Sequence, residues 1–383
     1  MSIYFFLIAV VLLLPVAFSW IKDERHRDNC VLFFSILAIF LVMVLKAPTV
    51  GRDIEGDKSL YDMMELRTWS NFDSLSWMEW GYELLTMIFV HIFHAPFQVF
   101  ITFVYAFVYF SYFKFIQRYS RDYTTSVLLY ICFTFFTFDT SAIRTVLGIA
   151  ICLLAVPFAE KRGIWNAVIF FAITILAAQI HKSAYIFIIV YFVIRVKFSI
   201  KSAAFYVGIP MILMVFRSQF YGLINSYLKT VQESSIALGG NLIVYIVCLL
   251  LTGFIWLYYE QNNKKFLRPG DRYGRVGDTL STDSAAAENN LVDYFDTSGL
   301  AVRMIYMAII LQLFSTGTVL ARMAEYLQLF ILILVPNNIM RLNYKSRVIL
   351  RGILYFFAVI YFWRFSLADN ALDIVPYQFF WEV

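Results

Sequence analysis

The chain has 383 residues, of which 61% are hydrophobic, 19% aromatic and only 15% charged. A soluble domain carries about a quarter charged residues, so this composition excludes an ordinary soluble protein and predicts a membrane protein with several spans. The net charge of +5 matches the basic excess of cytoplasmic loops in such proteins, and it gives no support for a nucleic-acid partner.

Stretches of about 20 apolar residues are long enough to cross a bilayer as helices, and the chain contains twelve such candidates, some of them short. In chain order they cover residues 2–20, 30–47, 95–113, 123–139, 142–158, 164–181, 183–195, 202–216, 241–259, 301–317, 319–340 and 348–366. Residues 2–20 lack the basic start and the cleavage site of a signal peptide, so we interpret them as a retained first helix. The predicted fold class is all-α, a polytopic transmembrane helix bundle that forms a single integral membrane domain over residues 1–383.

The Lys and Arg bias of the connections predicts the orientation of the bundle. If residues 79–94 form an interfacial helix, six basic connections fall on one side of the membrane, which we take as cytoplasmic. If residues 79–94 cross the membrane instead, the first of these connections moves to the opposite side from the others. The six are residues 22–27, 114–121, 161–162, 195–201, 264–275 and 341–351. The loop of residues 48–80 and both termini then lie outside. Residues 260–300 form a polar cytoplasmic loop that is predicted to be disordered.

Three sites place basic side chains on the outer side, against the general bias, and charges at membrane depth are expensive and commonly functional. Arg144 opens an apolar run, and each of the three residues 139–141 is able to cap its helix. Free backbone N–H groups beside a guanidinium make an anion site. The alternative is an arginine that reaches the interface and pairs with Asp139.

The other two sites are Arg322 and the pair His181 and Lys182. Arg322 shares a helix face with Glu325 and Tyr326, so Glu325 either forms a plain intrahelical pair with it or orients it toward a ligand. His181 lies between two spans with almost no connecting loop, and an imidazole takes up a proton near neutral pH. It is therefore a candidate base, with a structural histidine as the alternative.

The outer loop carries carboxylates at alternate positions, Asp53, Glu55 and Asp57, as the start of a calcium loop does. Lys58 occupies the position that requires glycine and Met64 the position that requires a bidentate glutamate. An EF-hand is therefore excluded, which leaves a looser divalent site or a solvated acidic loop.

The four cysteines all lie in apolar runs, so neither a disulfide nor a structural zinc site is predicted. We expect no metal and no cofactor.

An ordered set of motifs resembles the EpsG/Wzy-type bacterial polysaccharide polymerases, which make O-antigens and exopolysaccharides, over nearly the whole chain. From the N-terminus the motifs are "VGRDIEGDKSLY" (Gly51, Asp53, Tyr61), "MEWGYELL" (Glu79, Gly81, Tyr82), "SAIRTVLGIAI" (Arg144), "AAQIHKSAYI" (His181, Ser183), "ARMAEYLQLF" (Arg322, Tyr326) and "VPYQFFW" (Pro376, Tyr377). The order of the six motifs, rather than any one of them, carries the resemblance.

The resemblance implies a glycosyltransferase that joins oligosaccharide repeat units carried on undecaprenyl pyrophosphate at the outer face of the cytoplasmic membrane. The growing glycan would move from its lipid pyrophosphate to a sugar hydroxyl of the next unit, in an architecture related to lipid-dependent membrane glycosyltransferases. A chain-length regulator is a further partner that the resemblance suggests, beside the lipid-linked glycans and the bilayer.

Fixed guanidinium groups near a leaving pyrophosphate stabilise its growing negative charge, so Arg144 and Arg322 are the predicted pyrophosphate clamp. His181 is the first candidate for the catalytic base and Asp53 is the second. Carboxylates and aromatic rings are common partners of sugars, and the residues predicted to bind or orient the glycan are Glu79, Tyr82, Glu83, Glu325 and Tyr326, beside Trp77 and Trp80.

Two other functions stay open from the residues alone: a lipid-linked oligosaccharide flippase or other transporter, and an O-antigen ligase. A transporter brings charges to the midplane, often on broken helices, whereas the costly charges here cluster at one predicted face. A ligase would have nearly the same fold and residues, and only the family resemblance separates it from a polymerase.

Overall fold

A computed structural model describes residues 1–72, 78–195, 239–262, 297–314 and 319–382. Within these ranges all the regular structure is helical, apart from one isolated antiparallel bridge between Lys46 and Phe379. The prediction of an all-α chain is therefore confirmed for the described residues. The predicted span at 202–216 and nearly all of the predicted loop at 260–300 lie outside them, as does Trp77.

The helices of the first 195 residues are α1 (Ser2–Ala17), α2 (Glu24–Val44), α3 (Ile54–Met64), α4 (Trp80–His91), α5 (Phe97–Tyr119), α6 (Tyr123–Cys132), α7 (Phe135–Asp139), α8 (Ile143–Glu160), α9 (Ile164–Ile180) and α10 (Ile188–Val193). Short 3₁₀ segments cover Trp69–Asn71 and Lys182–Phe187. The later described helices are α11 (Gly239–Asn262), α12 (Thr297–Phe314), α13 (Val319–Gln328), α14 (Ile331–Ile339) and α15 (Tyr344–Tyr361), the last continued by a π-helical turn over Phe362–Ala368.

Four of the described helices are long and apolar enough to cross a membrane: α2, α5, α8 and α15 with its π-helical extension. Six shorter apolar helical stretches of 10–17 residues accompany them. The chain is therefore membrane-embedded, while the count of twelve spans stays a prediction. Helix α8 lies at the centre of the bundle, where it packs most extensively against α9 and α5.

The segment predicted as one span over 123–139 is two helices, α6 and α7, separated by a break at Phe133 and Thr134. Thr134 has left-handed backbone dihedrals with φ of 71°, which a β-branched residue adopts rarely. Threonine and phenylalanine alternate through this stretch and are both weak helix formers. The break turns the chain so that α7 leads directly into the start of α8.

The predicted span over 319–340 is likewise interrupted, between α13 and α14. Within α14, Pro336 has no N–H group, so the Leu332 carbonyl loses its partner four residues later. The Ser126 hydroxyl of α6 donates to that carbonyl at 2.7 Å. The two interrupted helical pairs therefore pack against each other, and a side chain of one supplies the hydrogen bond that the proline removes from the other.

The predicted outer loop at 48–80 contains a helix, α3, which the sequence did not predict. The ambiguous segment at 79–94 contains α4, whose 12 residues span about 18 Å, well short of a bilayer core. Helix α4 packs against α9 and α3. Its length favours the interfacial placement of this segment.

The C-terminal tail after the π-helical turn folds back onto the chain that follows α2. The Ala47 N–H donates to the Gln378 carbonyl at 2.8 Å, and the Arg52 N–H donates to the Leu372 carbonyl at 3.0 Å. The tail therefore holds the beginning of the outer loop in place. This contact gathers the end of α2, the start of α8 and the tail at one end of the bundle.

Candidate active site

Glu79 is the point at which three distant parts of the chain meet. It directly precedes α4 and is buried. Its Oε1 accepts a hydrogen bond from the Lys182 backbone N–H at 3.1 Å and lies 3.4 Å from Nδ1 of His181. Its Oε2 lies 3.8 Å from Nη1 of Arg144. The carboxylate thus joins the starts of α4 and α8 to the turn after α9.

A glycine makes this junction possible. A Cβ atom added to Gly81 would lie 2.7 Å from the Gln179 carbonyl oxygen, which is closer than non-bonded atoms approach. Only glycine lets the first turn of α4 pack so tightly on the last turn of α9. The close approach brings Glu79 to His181, two residues beyond Gln179.

The Glu79 carboxylate is ionised at neutral pH. Burial alone would raise the pKa of Glu79, but the contact with His181 and the hydrogen bond from the Lys182 N–H outweigh it and lower the pKa to about 2. A carboxylate that accepts such bonds favours its charged form. The site therefore has a fixed negative charge between His181 and Arg144.

His181 is nearly buried and begins the 3₁₀ turn that follows α9. Its Nδ1 lies 3.4 Å from Glu79 Oε1, and both ring nitrogens are buried without a geometric hydrogen bond among the described residues. A histidine with one ring nitrogen against a carboxylate has a defined tautomer and orientation. Neither ring nitrogen is exposed, so a molecule that reaches Nε2 has to displace the side chains that cover it.

Arg144 lies in the first turn of α8, with its guanidinium 5.9 Å from the centre of the Tyr82 ring. Tyr82 itself is buried, so the ring forms a wall behind the arginine instead of an open surface for sugar.

The prediction that one of residues 139–141 caps α8 is wrong. The residue at that position is Ala142, and no side chain caps the helix. Any anion site here depends on the guanidinium and its neighbours.

The alternative pairing of Arg144 with Asp139 is also not what the structure shows. The buried Asp139 carboxylate accepts a hydrogen bond from the Tyr130 hydroxyl, and its backbone carbonyl accepts one from the Tyr105 hydroxyl at 2.9 Å. Asp139 therefore points into the bundle and anchors the end of α7. The arginine pairs with Glu79 instead.

Asp57, one turn into α3, is the loop carboxylate that faces the arginines. Burial raises its pKa to about 6, although the positive charges of Arg144 and Arg322 both act to lower it. The two predicted clamp residues therefore lie within electrostatic range of one carboxylate.

Asp53, the predicted second base, is exposed at the start of α3 and makes no capping hydrogen bond. Among the described residues no group of three acidic, histidine or cysteine side chains is placed to bind a metal.

Glu83, predicted to bind glycan, is fully buried and pairs with Arg67, whose Nη2 lies 3.0 Å from Oε1. A carboxylate with 0% exposure is not available to a sugar, so the structure corrects this assignment. The ion pair holds the outer loop onto α4. A second contact, between His91 Nε2 and the Met64 carbonyl at 3.0 Å, joins the end of α3 to the end of α4.

Glu325 and Tyr326, predicted to orient the clamp or bind glycan, both lie inside the bundle. With its amide oriented to satisfy its neighbours, Gln328 donates to Glu325 Oε2 at 3.1 Å. The Tyr326 hydroxyl packs against α8 at Gly148, where a Cβ atom would lie 2.6 Å from it. These two side chains therefore set the position of α13, which carries Arg322, and do not face a glycan.

Lys46 is a residue of this region that the sequence did not single out. It is 1% exposed, and its Nζ donates to the Thr140 carbonyl at 2.5 Å and to the Val50 carbonyl at 2.9 Å. The lysine thereby joins the end of α2 to the turn between α7 and α8. Its sequence signal was a cation at the outer end of an apolar run, the same signal that identified Arg144.

The family model of the EpsG family matches residues 29–379. No curated protein and no solved structure matches the chain. The match runs from within α2 to the C-terminal tail, and so includes every residue described above at this end of the bundle.

The buried pair of Arg67 and Glu83 predicts a stability effect. Arg67→Met leaves the Glu83 carboxylate buried without its main partner and should destabilise the protein by about 3–5 kcal/mol. Thermal unfolding of the purified protein would measure the loss. The double variant Arg67→Met/Glu83→Leu should recover most of it, while Arg52→Met, an exposed arginine of the same loop, should have little effect. An unchanged unfolding temperature in Arg67→Met would contradict the pairing.

Proposed function

Since the chain belongs to the EpsG family, we propose that it is a membrane glycosyltransferase that polymerises polysaccharide repeat units. The donor is a glycan on a lipid pyrophosphate of the undecaprenyl type, and the acceptor is a sugar hydroxyl of the next lipid-linked unit. The family match and the apolar helices support a role in polysaccharide synthesis at a membrane. The donor, the outer face of the cytoplasmic membrane and the twelve-span architecture are parts of the proposal.

One observation carries the proposal: a histidine and an arginine from different helices share one buried carboxylate. His181 and Arg144 both contact Glu79, and Arg144 and Arg322 both lie within electrostatic range of Asp57. A candidate base with one guanidinium beside it, and a second guanidinium within electrostatic range of Asp57, support the proposal. Transfer from a pyrophosphate needs both kinds of group, at the acceptor oxygen and at the leaving group respectively.

The transfer is a displacement at the anomeric carbon of the donor sugar. The acceptor oxygen forms a new bond to that carbon, and the bond between the carbon and the pyrophosphate oxygen breaks. The bonding electrons leave with the pyrophosphate, whose growing charge Arg144 and Arg322 stabilise. The acceptor proton passes to Nε2 of His181 and then to water. Atoms and charges balance without a metal ion.

Glu79 has a positioning role in this scheme. With an ionised carboxylate against Nδ1, the proton of the neutral ring resides on Nδ1 and leaves Nε2 free to accept the proton of the acceptor. The carboxylate also stabilises the imidazolium that forms. Its second oxygen holds Arg144 beside the base, so a single group orients both halves of the site.

A polymerase, a ligase and a transporter leave different products when the protein is lost. In a strain without its own copy, single lipid-linked repeat units exposed on the outer face indicate a polymerase. Units retained on the inner face indicate a flippase, and long polymer retained on its lipid indicates a ligase. Separation of the lipid-linked glycans by size, with external glycosidase treatment to report the face, distinguishes the three.

The two clamp arginines predict loss of elongation with normal expression. Arg144→Ala or Arg322→Ala should lower polymer formation by about 10²–10³-fold, as loss of one charge-stabilising donor does in acyl-transfer enzymes, while single repeat units persist. The glycan ladder of the complemented strain measures this. Lys58→Ala removes an exposed outer-loop cation that pairs with Asp62, and it should leave the ladder unchanged. Polymer of normal length and amount in either arginine variant would refute the clamp.

The link between Glu79 and His181 predicts non-additive losses. His181→Ala should abolish most transfer, and Glu79→Gln should reduce it by a smaller factor because the base is misoriented. The double variant should then lose less than the product of the two single losses, since the part of the Glu79 effect that acts through His181 is already lost in His181→Ala and only the part that acts through Arg144 remains. Initial rates with purified lipid-linked units would test the cycle. Strictly multiplicative losses would show that Glu79 acts independently of the base.

Asp57 predicts a pH dependence of anion affinity. Its raised pKa of about 6 means that it gains a proton as pH falls from 7 to 5, which removes a negative charge beside the arginines. Asp57→Asn should therefore bind inorganic pyrophosphate more tightly than wild type at pH 7, by up to about tenfold. The difference should vanish near pH 5. Calorimetric titrations measure both, and Asp62→Asn on the exposed side of α3 is the control. Equal affinities at pH 7 would contradict the prediction.

A further inference from the structure

A second basic region lies at the opposite end of the bundle, where a cavity of about 580 Å³ opens between α2, α5 and α8. Three cations line it: Arg25 from α2, and Lys114 and Arg118 from α5. The amides of Asn29 and Gln117 also face it and are joined by a hydrogen bond of 3.0 Å. The volume lies within the usual range for ligand pockets, about 300–1,000 Å³.

The charges around this cavity are unbalanced. Arg118 is paired with Glu160 at 3.0 Å. Arg25 and Lys114 form no ion pair within the described part of the chain, and the Lys114 ammonium lies 5.7 Å from the centres of two phenylalanine rings. Two unneutralised cations at a shared cavity attract a doubly or singly charged anion.

The rest of the lining is apolar and belongs to membrane helices. Leu153, Leu154 and Pro157 of α8 and Phe115 of α5 form one wall. A soluble phosphate gains nothing from such a wall, whereas a lipid places its phosphate among cations and its glycerol and first methylenes on apolar side chains. The lining therefore has the two-part character of a lipid headgroup site.

The cavity is distinct from the candidate active site. Both use α8, but Arg144 and Pro157 are 13 positions apart on that helix, which is about 20 Å along its axis. The cavity is built from two of the basic connections that the charge bias assigns to the cytoplasm. The cytoplasmic leaflet carries anionic lipids, which basic pockets between membrane helices bind.

We propose that this cavity binds the headgroup of an anionic phospholipid of the cytoplasmic leaflet. The lipid phosphate lies between Arg25, Lys114 and Arg118, and its glycerol backbone lies against the apolar wall of α8. The bound lipid fills the space between the first turns of α2 and the last turns of α5 and α8, and so stabilises that end of the bundle.

Native mass spectrometry of the full-length protein, released from detergent micelles with defined lipids, tests this directly. One molecule of phosphatidylglycerol per chain should remain bound at collision energies that remove phosphatidylcholine. The ratio of lipid-bound to lipid-free protein should be at least tenfold higher for phosphatidylglycerol. Millimolar inorganic phosphate should not displace it. Displacement by phosphate would show that the site takes a soluble anion, and equal retention of the two lipids would show that no headgroup site exists. Either result would overturn the proposal.

Variants locate the lipid. Arg25→Gln/Lys114→Gln should lower retention of phosphatidylglycerol at least tenfold, whereas Lys161→Gln/Arg162→Gln removes the same charge at the same end, outside the cavity, and should not. Leu154→Trp narrows the cavity without a charge change and should also lower retention. Thermal unfolding confirms that each variant is folded. Equal loss of phosphatidylglycerol in the two double variants, or full retention in Leu154→Trp, would show that the lipid binds outside the cavity. Either result would refute the cavity site.

Discussion

The contact between the Glu79 carboxylate and its partners fixes the relative positions of α4, α8 and the turn after α9. A buried carboxylate is costly unless cations and hydrogen-bond donors surround it, and Glu79 has three: the His181 ring, the Lys182 N–H and the Arg144 guanidinium. Two of them belong to the turn after α9 and the third to the start of α8, so neither part is able to move away from α4 without leaving a buried charge uncompensated. A site that must present a base and a cation at a fixed separation is stabilised by one negative charge placed between them.

The other side of the same region is held by main-chain contacts. Lys46 uses its ammonium to bind the Thr140 carbonyl, and the Ser141 hydroxyl accepts the Arg52 N–H at 3.0 Å. The turn between α7 and α8 is therefore fixed from the direction of α2 and the outer loop, while the Arg144 side chain keeps a looser contact of 3.8 Å with Glu79. Electrostatic stabilisation of a leaving group depends on charges that do not reorganise during the reaction. The hydrogen bonds to Thr140 and Ser141 meet that condition for the backbone that leads into Arg144.

Composition and charge bias were enough to predict an all-helical membrane protein, and they singled out Arg144, His181 and Arg322 as unusual residues. They did not predict the breaks in the helices at 133–134 and 329–330, because apolar runs read as continuous spans whether or not a residue within them adopts a left-handed backbone. The partners of charged residues were also missed. Helical spacing relates a side chain only to neighbours three or four residues away, whereas Glu79 contacts residues far from it in sequence. The sequence therefore indicated which residues were unusual and not what they touch.

Cations at this end of the bundle fall into two groups once their contacts are known. Lys46 and Arg67 direct their side chains to carbonyls or to a buried carboxylate, and the cost of placing each charge there is offset by the structure it holds together. Arg144 is different, because its side chain is 26% exposed and its contact with Glu79 is loose at 3.8 Å. The charge bias of the sequence detects both groups equally, because it counts cations and does not show whether their N–H donors are already used in hydrogen bonds. The cations available for an anionic substrate are those whose donors are not already used by the protein, and in this chain that condition favours the guanidinium at the start of α8 over the buried lysine at the end of α2.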